Sequence, residues 1–534
     1  MIQISLIVLA SLMSFQAMAA PATAPLTYAS YAKKPKLVLV IVIDQFRADY
    51  LSRFSERFLP AVQKNGAVGG FRYLMSKGAY FPMAHFDVLQ NMTCPGHATI
   101  LTGSPPAQSG IPLNDWFDRK TNKLRYCVED DVDGVSPRQL QGTTVGDELK
   151  NAGYPGRVIS LALKDRAAIL LGGHRSDFTF WMGDDGKWMT STYYAKAVPT
   201  WLATENERIA KDFGKINAWT QTKERTGFSQ PRDHDFSKIS VDGKFEALES
   251  PYGVELTTSA AVAALESYNL GHSKTPDVLA VSYSTHDLQG HLVGPNAPEM
   301  EDLTVNEDQS IAVLLNAVRK QVPGGLKNVV IALTADHGIA PSVNYLSSTK
   351  IGSGFVDSKK LMADAEADLA VTFGKPKSSW LAAVQSFNFY LSNEALDGSH
   401  KGVSPFAIEN RLKAFIMTQA GVAHVFSLSD FQASRLPAGE ASRQIQKSYV
   451  PGKSGDVVLI PKPFWMEAGK PDTHMTGYSY DRSVPLIIAG PHVRAGVYGQ
   501  SVDIVDLAPT LSFLLGTIAP AQSEGRVLTE AIGD

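Results

Sequence analysis

The stretch LVLVIVID, residues 37–44, is an unbroken row of branched aliphatic side chains closed by an acid. A strand with one face in water alternates apolar and polar residues. A strand buried on both faces does not, and such strands lie at the centre of parallel sheets covered by helices. Similar runs recur as RVISLAL (157–163), DVLAVSYS (277–284), NVVIALTAD (328–336) and VPLIIAG (484–490). Between them, residues 144–151, 257–268 and 303–318 carry helical spacing. This alternation predicts an α/β fold, a doubly wound, mostly parallel sheet flanked by helices. Chemistry in such sheets gathers beyond the carboxyl ends of the strands. Asp44, Lys164, Asp287 and Asp336 each stand at or just past such an end.

The chain has 534 residues, 44% of them hydrophobic, enough for a large core. Residues 1–19 read as a secretory signal peptide: the apolar run 4–15 is short for a bilayer span, and Ala17-Met18-Ala19 offers a small-x-small cleavage site, with a membrane anchor as the alternative because no Lys or Arg precedes the run. A leader, 20–35, precedes an α/β unit over 36–534, in which 183–250 and 341–471 read as inserted cap segments. No later apolar run is long enough to span a membrane, so no stable membrane association is expected after cleavage, and the location is periplasmic or secreted. A net charge of −3 gives no basic field for nucleic acid. The sequence leaves the oligomeric state open, and a monomer is compatible with it. The two cysteines, Cys94 and Cys127, are either one disulfide of an oxidising compartment or two buried thiols.

Asp287 and His291 are four residues apart, so on a helix a carboxylate and an imidazole share a face. Asp336-His337-Gly338 follows a buried run, His474 lies in a loop before another, and Asp44 closes the first. Three Asp and three His, with Thr93 as a further oxygen, suit zinc better than manganese. Six ligands are too many for one tetrahedral ion and fit two with open positions. Each motif alone is weak, since a strand-end Asp is also a common helix cap. His286, beside Asp287, reads as a packing or hydrogen-bonding residue.

NMTCPGHATILTG, residues 91–103, offers two nucleophiles, Thr93 and Cys94. Pro95 fits the first turn of a helix, which places Thr93 at a helix mouth that favours anions. There a zinc-coordinated threonine is a usable nucleophile, and a plain N-cap is the competing role. Lys164 and Arg166, two apart in an extended loop, would reach one anion or simply form a solvated charged loop. Asn114 would donate to a phosphoryl oxygen or hold a turn.

Thr93-x-Pro95-x-His97, Thr102-Gly103, Pro106, Gly110-Ile111 and Asn114 resemble the signature of the alkaline phosphatase superfamily, in its type I phosphodiesterase/nucleotide pyrophosphatase branch. Lys164 and Arg166 make the chain similar to the phosphate-irrepressible alkaline phosphatases. The resemblance covers residues 36–516. It implies one zinc ion held by Asp44, Thr93, Asp336 and His337, and a second held by Asp287, His291 and His474. It also implies Thr93 as the nucleophile, passing through a covalent phosphothreonine, with Asn114, Lys164 and Arg166 on the phosphoryl oxygens and His97 structural. The implied activity is hydrolysis of phosphate monoesters of broad range, releasing phosphate; a phosphodiesterase or nucleotide pyrophosphatase on the same scaffold is the alternative. A sulfatase would need a Cys or Ser where Thr93 stands. One departure is Met475 after His474, where the family usually carries glycine.

Overall fold

The computed structural model describes residues 34–533 apart from 214, 223–236, 401 and 470–472. The signal segment and all but the end of the leader lie outside the described residues. A nine-stranded sheet forms the centre, from β1 (Leu37–Ile43), β2 (Gly78–Phe81), β3 (Val158–Ala162), β4 (Phe178–Met182), β5 (Trp188–Met189), β6 (Asp277–Tyr283), β7 (Val329–Thr334), β8 (Leu486–Ala489) and β9 (Gly496–Val497). Their order is β5-β4-β3-β6-β1-β7-β8-β2-β9. β4, β3, β6, β1 and β7 run parallel in one direction. All seven residues of β1 are buried, as a strand covered on both faces demands.

The run at 484–490 departs from expectation. It forms β8, which is buried but antiparallel to both β7 and β2. The chain reaches β8 from the loop carrying His474, at the carboxyl edge of the parallel strands, and has to run back down. An aliphatic run records burial on two faces and says nothing of direction. β2 and β4 are short and stand out less from their surroundings.

Helices α1 (Thr93–Thr102) and α2 (Asp165–Gly172) pack on each other, and α1 also packs on Val145–Asn151 and Leu507–Leu515. Helices α3 (Thr285–Val293) and α4 (Pro298–Gln321) pack with Pro251–Ser267. The helices Asp165–Gly172 and Pro251–Ser267, one from each group, both pack on β3 and β6, so helices flank the sheet.

Of the two segments read as insertions, 183–250 contains β5, an antiparallel edge of the main sheet, and continues into the helix Thr200–Phe213. Residues 341–471 hold a separate antiparallel sheet in the order Leu381–Gln385, Asn388–Leu391, Val457–Pro461, Val422–Ser427. Its neck is a parallel pair, Gly354–Val356 with Trp465–Glu467. Trp380, Phe389 and Leu412 of this segment share one core with Cys94, Ala98 and Ile169, which seats it against α1 and α2.

Candidate active site

The carboxyl ends of β3, β6, β1 and β7 are neighbours, so the residues that follow them converge. Asp44 directly follows β1, Asp336 follows β7, Lys164 follows β3, and Asp287 lies in the first turn of α3 after β6. Asp44, Asp336 and His337 each bring a ligand atom to within 4.8 Å of the others, and so do Asp287, His291 and His474.

The hydrogen bonds fix the histidine tautomers. His337 Nδ1 lies 3.0 Å from the Gly338 carbonyl, and His474 Nδ1 lies 2.7 Å from the Asn91 carbonyl. A carbonyl only accepts, so each Nδ1 carries the proton and each Nε2 keeps its lone pair. His337 Nε2 points at Asp44 Oδ1 and Asp336 Oδ2, both 3.4 Å away. His474 Nε2 is 3.6 Å and His291 Nε2 3.2 Å from Asp287 Oδ1. Burial pushes His337 down to about 3, against the pull of Asp336, and burial lowers His474 as well. These rings are therefore neutral, and lone pairs face carboxylate oxygens. Asp44 Oδ1 and His337 Nε2 have no hydrogen-bond partner among the described residues, although both are buried.

Charge tells the same story. Three buried carboxylates face one ammonium, that of Lys164, which lies 2.6 Å from Asp44 Oδ2 and also contacts Asp287 Oδ2. Burial, then the nearby Asp287 and Asp336 charges, push Asp44 well above the usual carboxylate range. Unpaired buried oxygens, neutral imidazoles and excess negative charge are the donor chemistry that divalent cations satisfy. The residues fit metal ions in two groups.

Thr93 is the first residue of α1 and is buried. The capping position belongs to Met92, so Thr93 is not the N-cap. Cys94 is bonded to Cys127 and is not a free thiol, which leaves Thr93 as the nucleophile candidate of this stretch. The disulfide also frames Asn114. Asn114 Oδ1 accepts from the Cys94 N–H at 2.8 Å, and its carbonyl accepts from the Cys127 N–H at 2.9 Å. Because an N–H can bond only to the oxygen, the side-chain amide is oriented with its NH2 as the remaining donor.

Lys164 and Arg166 do not share an extended loop. Lys164 caps α2 and Arg166 is the helix's second residue. Arg166 Nη1 lies 3.3 Å from the Tyr126 hydroxyl, which itself donates to Asp165 Oδ1 at 2.6 Å. Arg166 Nε is buried without a hydrogen-bond partner among the described residues.

Some residues near the site escaped the sequence reading. Gln45 donates its main-chain N–H to Asp336 Oδ1 at 3.0 Å and its side-chain Nε2 to Asp287 Oδ1 at 2.6 Å. A polar residue directly after Asp44 was the available signal. His97, whose expected role is structural, has Nδ1 2.9 Å from the Thr93 carbonyl and 3.0 Å from Asp336 Oδ2, so it ties α1 to the metal-type group. Gly96 allows that approach, since a Cβ there would lie 2.3 Å from the Asp336 carbonyl oxygen. His286 bonds to Glu307 at 3.0 Å and packs on the rings of Phe46 and Tyr50, the packing role expected of it. Met475 adopts φ 127°, a backbone shape that favours glycine.

Residues 38–478 match the family model of type I phosphodiesterase / nucleotide pyrophosphatase, and the chain belongs to that family. Among its relatives, alkaline phosphatase PafA of Elizabethkingia meningoseptica is 32% identical, over 94% of this chain and 95% of the relative. A Myroides odoratus protein named calcium-transporting ATPase is 30% identical over 94% and 95%. The crystal structure of wild-type alkaline phosphatase PafA superposes with a TM-score of 0.84 at 29% identity, covering 94% of this chain and 99% of that one.

Proposed function

We propose that the chain is an exported, zinc-dependent alkaline phosphatase, a phosphoric monoester hydrolase of broad range acting on small phosphate esters. The observation that carries this is the buried Thr93 at a helix start together with two groups of metal-type donors, in the first of which Asp44 Oδ1 and His337 Nε2 have no hydrogen-bond partner among the described residues. The match to PafA over nearly the whole of both chains supports the same reading. Asp44, Thr93, Asp336 and His337 would hold one zinc ion, and Asp287, His291 and His474 a second. Bound zinc would supply the charge that lowers the pKa of the Thr93 hydroxyl and of a water, and offsets charge on the phosphoryl oxygens.

The chain's own groups do the rest. Thr93 Oγ1 attacks phosphorus, the alcohol leaves on the opposite side, and water then hydrolyses the phosphothreonine to release phosphate. The Asn114 NH2, the Lys164 ammonium and the Arg166 guanidinium bind the non-bridging oxygens. A monoester carries two negative charges over three such oxygens, whereas a diester carries one charge and a second organic group. Two cationic side chains therefore favour the monoester. A cavity of about 420 Å³ has Lys164 in its wall, with Trp181, Met182, Phe245 and Leu288.

The Cys94–Cys127 disulfide suits an oxidising compartment and supports export. From the relative named a calcium-transporting ATPase we carry over only hydrolysis of a phosphoryl group, because none of the described helices is long and apolar enough to cross a membrane. The test is kcat/KM of the zinc-loaded protein for an aryl phosphate monoester and for the matching diester, repeated with Lys164→Ala and Arg166→Ala. Monoester preference by orders of magnitude, collapsing in the variants, supports the reading. Diester preference in the parent makes the protein a phosphodiesterase.

A further inference from the structure

We propose that Gln45 is a positioning residue that holds one carboxylate from each candidate metal group and so fixes the two groups relative to each other. The proposal rests on the metal reading above. Asp336 belongs to the group with Asp44 and His337, and Asp287 to the group with His291 and His474. Gln45 reaches the first with its main-chain N–H and the second with its side-chain amide.

Two locally unfavourable choices serve this one side chain. Gln45 has φ 65°, in the left-handed region where residues with a Cβ are strained. Gly290 lies inside α3, between Asp287 and His291, where glycine weakens a helix. A Cβ at Gly290 would lie 1.9 Å from Gln45 Oε1, so the glycine makes room for the amide. The arrangement also assigns the carboxylate oxygens. With Asp336 Oδ1 taken by Gln45, Oδ2 is the oxygen turned toward His337 Nε2. With Asp287 Oδ2 on Lys164, Oδ1 accepts the Gln45 amide and still faces His291 and His474 with its second lone pair. Donors that orient ligands from behind commonly carry 10–100-fold, roughly, in metal affinity.

The experiment titrates zinc into the metal-free full chain against a chromophoric chelator, for the parent, Gln45→Ala, Gly290→Ala and the double variant. Elemental analysis counts the ions. Gln45→Ala keeps the main-chain bond to Asp336, so one site should weaken by about 10–100-fold and the other stay near its parent value. Gly290→Ala should displace the amide and weaken that same site. The double variant should bind no worse than the weaker single variant, and should melt above Gln45→Ala, because alanine strengthens α3 once the amide is gone. Excess zinc should restore kcat/KM of Gln45→Ala, a rescue that a purely structural defect would not show. Two parent-like zinc affinities in Gln45→Ala overturn the proposal. If Gln45→Ala fails to fold, Gly290→Ala decides alone, and an unchanged affinity there overturns it. A parent that binds no zinc overturns the metal reading and this proposal together, whereas a two-zinc parent with unaffected variants overturns only the latter.

Discussion

Lys164→Ala separates two roles of one ammonium group. Its Nζ contacts Asp44 and Asp287, and all three side chains are buried. Removing one partner of a buried ion pair costs ~3–5 kcal/mol, because the other charge is left without compensation. Two carboxylates lose a partner here, but Asp44 is already pushed up by burial and takes a proton readily. That relief holds the loss near the low end, about 3 kcal/mol, in chelator. With saturating zinc the carboxylates have other counter-charges, and the cost should fall below ~1 kcal/mol. An unfolding entropy of roughly 2.1 cal/mol/K per residue gives about 1 kcal/mol per degree for a chain of this size. Tm should therefore drop by about 3 °C in EDTA and by less than ~1 °C in zinc. Differential scanning fluorimetry under both conditions reads the contrast. In zinc, kcat/KM for a monoester should still fall by about 10²–10³-fold, since a charge on the transition state is lost. An equal Tm loss in both conditions would refute the idea that Lys164 and metal ions share the same carboxylates.

Three further outcomes are expected. Thr93→Ala should lower kcat/KM by about 10³-fold or more while zinc content, read by elemental analysis, stays close to the parent's through the remaining ligands. Replacing both Cys94 and Cys127 by alanine opens a link between residues 33 apart, and the chain-entropy relation puts the loss at about 3–4 kcal/mol, seen as a lower Tm. The same variant frees Asn114 and should lower kcat/KM. Met475→Gly relieves about 1–2 kcal/mol of left-handed strain but empties a buried site worth roughly 2–5 kcal/mol, so the net should be destabilising by about 1–3 kcal/mol despite the family's usual glycine. A higher Tm in this variant would show that strain outweighs packing.

The fold was legible because burial on both faces is written into the aliphatic runs, and β1, β3, β6 and β7 all lie where those runs fall. The acids at the strand ends were legible for the same reason, since a carboxylate closing such a run is placed by the sheet. Direction was not legible at β8, where only the path of the preceding loop decides it. The shape of the Lys164-Asp165-Arg166 segment was also missed, because a charged triplet suits a loop and a helix start equally. Gln45 and His97 were opaque for another reason. Gln45 finds its partners 242 and 291 residues away, and nothing local marks such bonds. His97 sits at helical spacing from Thr93, but its bond to Asp336 depends on how α1 docks against the end of β7. Met475 was visible as a departure from the family, and the positive φ supplies its physical meaning.

The central claim is that Thr93 forms a covalent bond to phosphorus, and trapping that bond tests it most directly. The zinc-loaded protein would be mixed with excess monoester, quenched in acid, digested and mapped by mass spectrometry. One phosphoryl group is expected on the peptide bearing Thr93, and none on that peptide of Thr93→Ala. A phosphoryl group on another residue, or turnover by Thr93→Ala at the parent's rate, would contradict it.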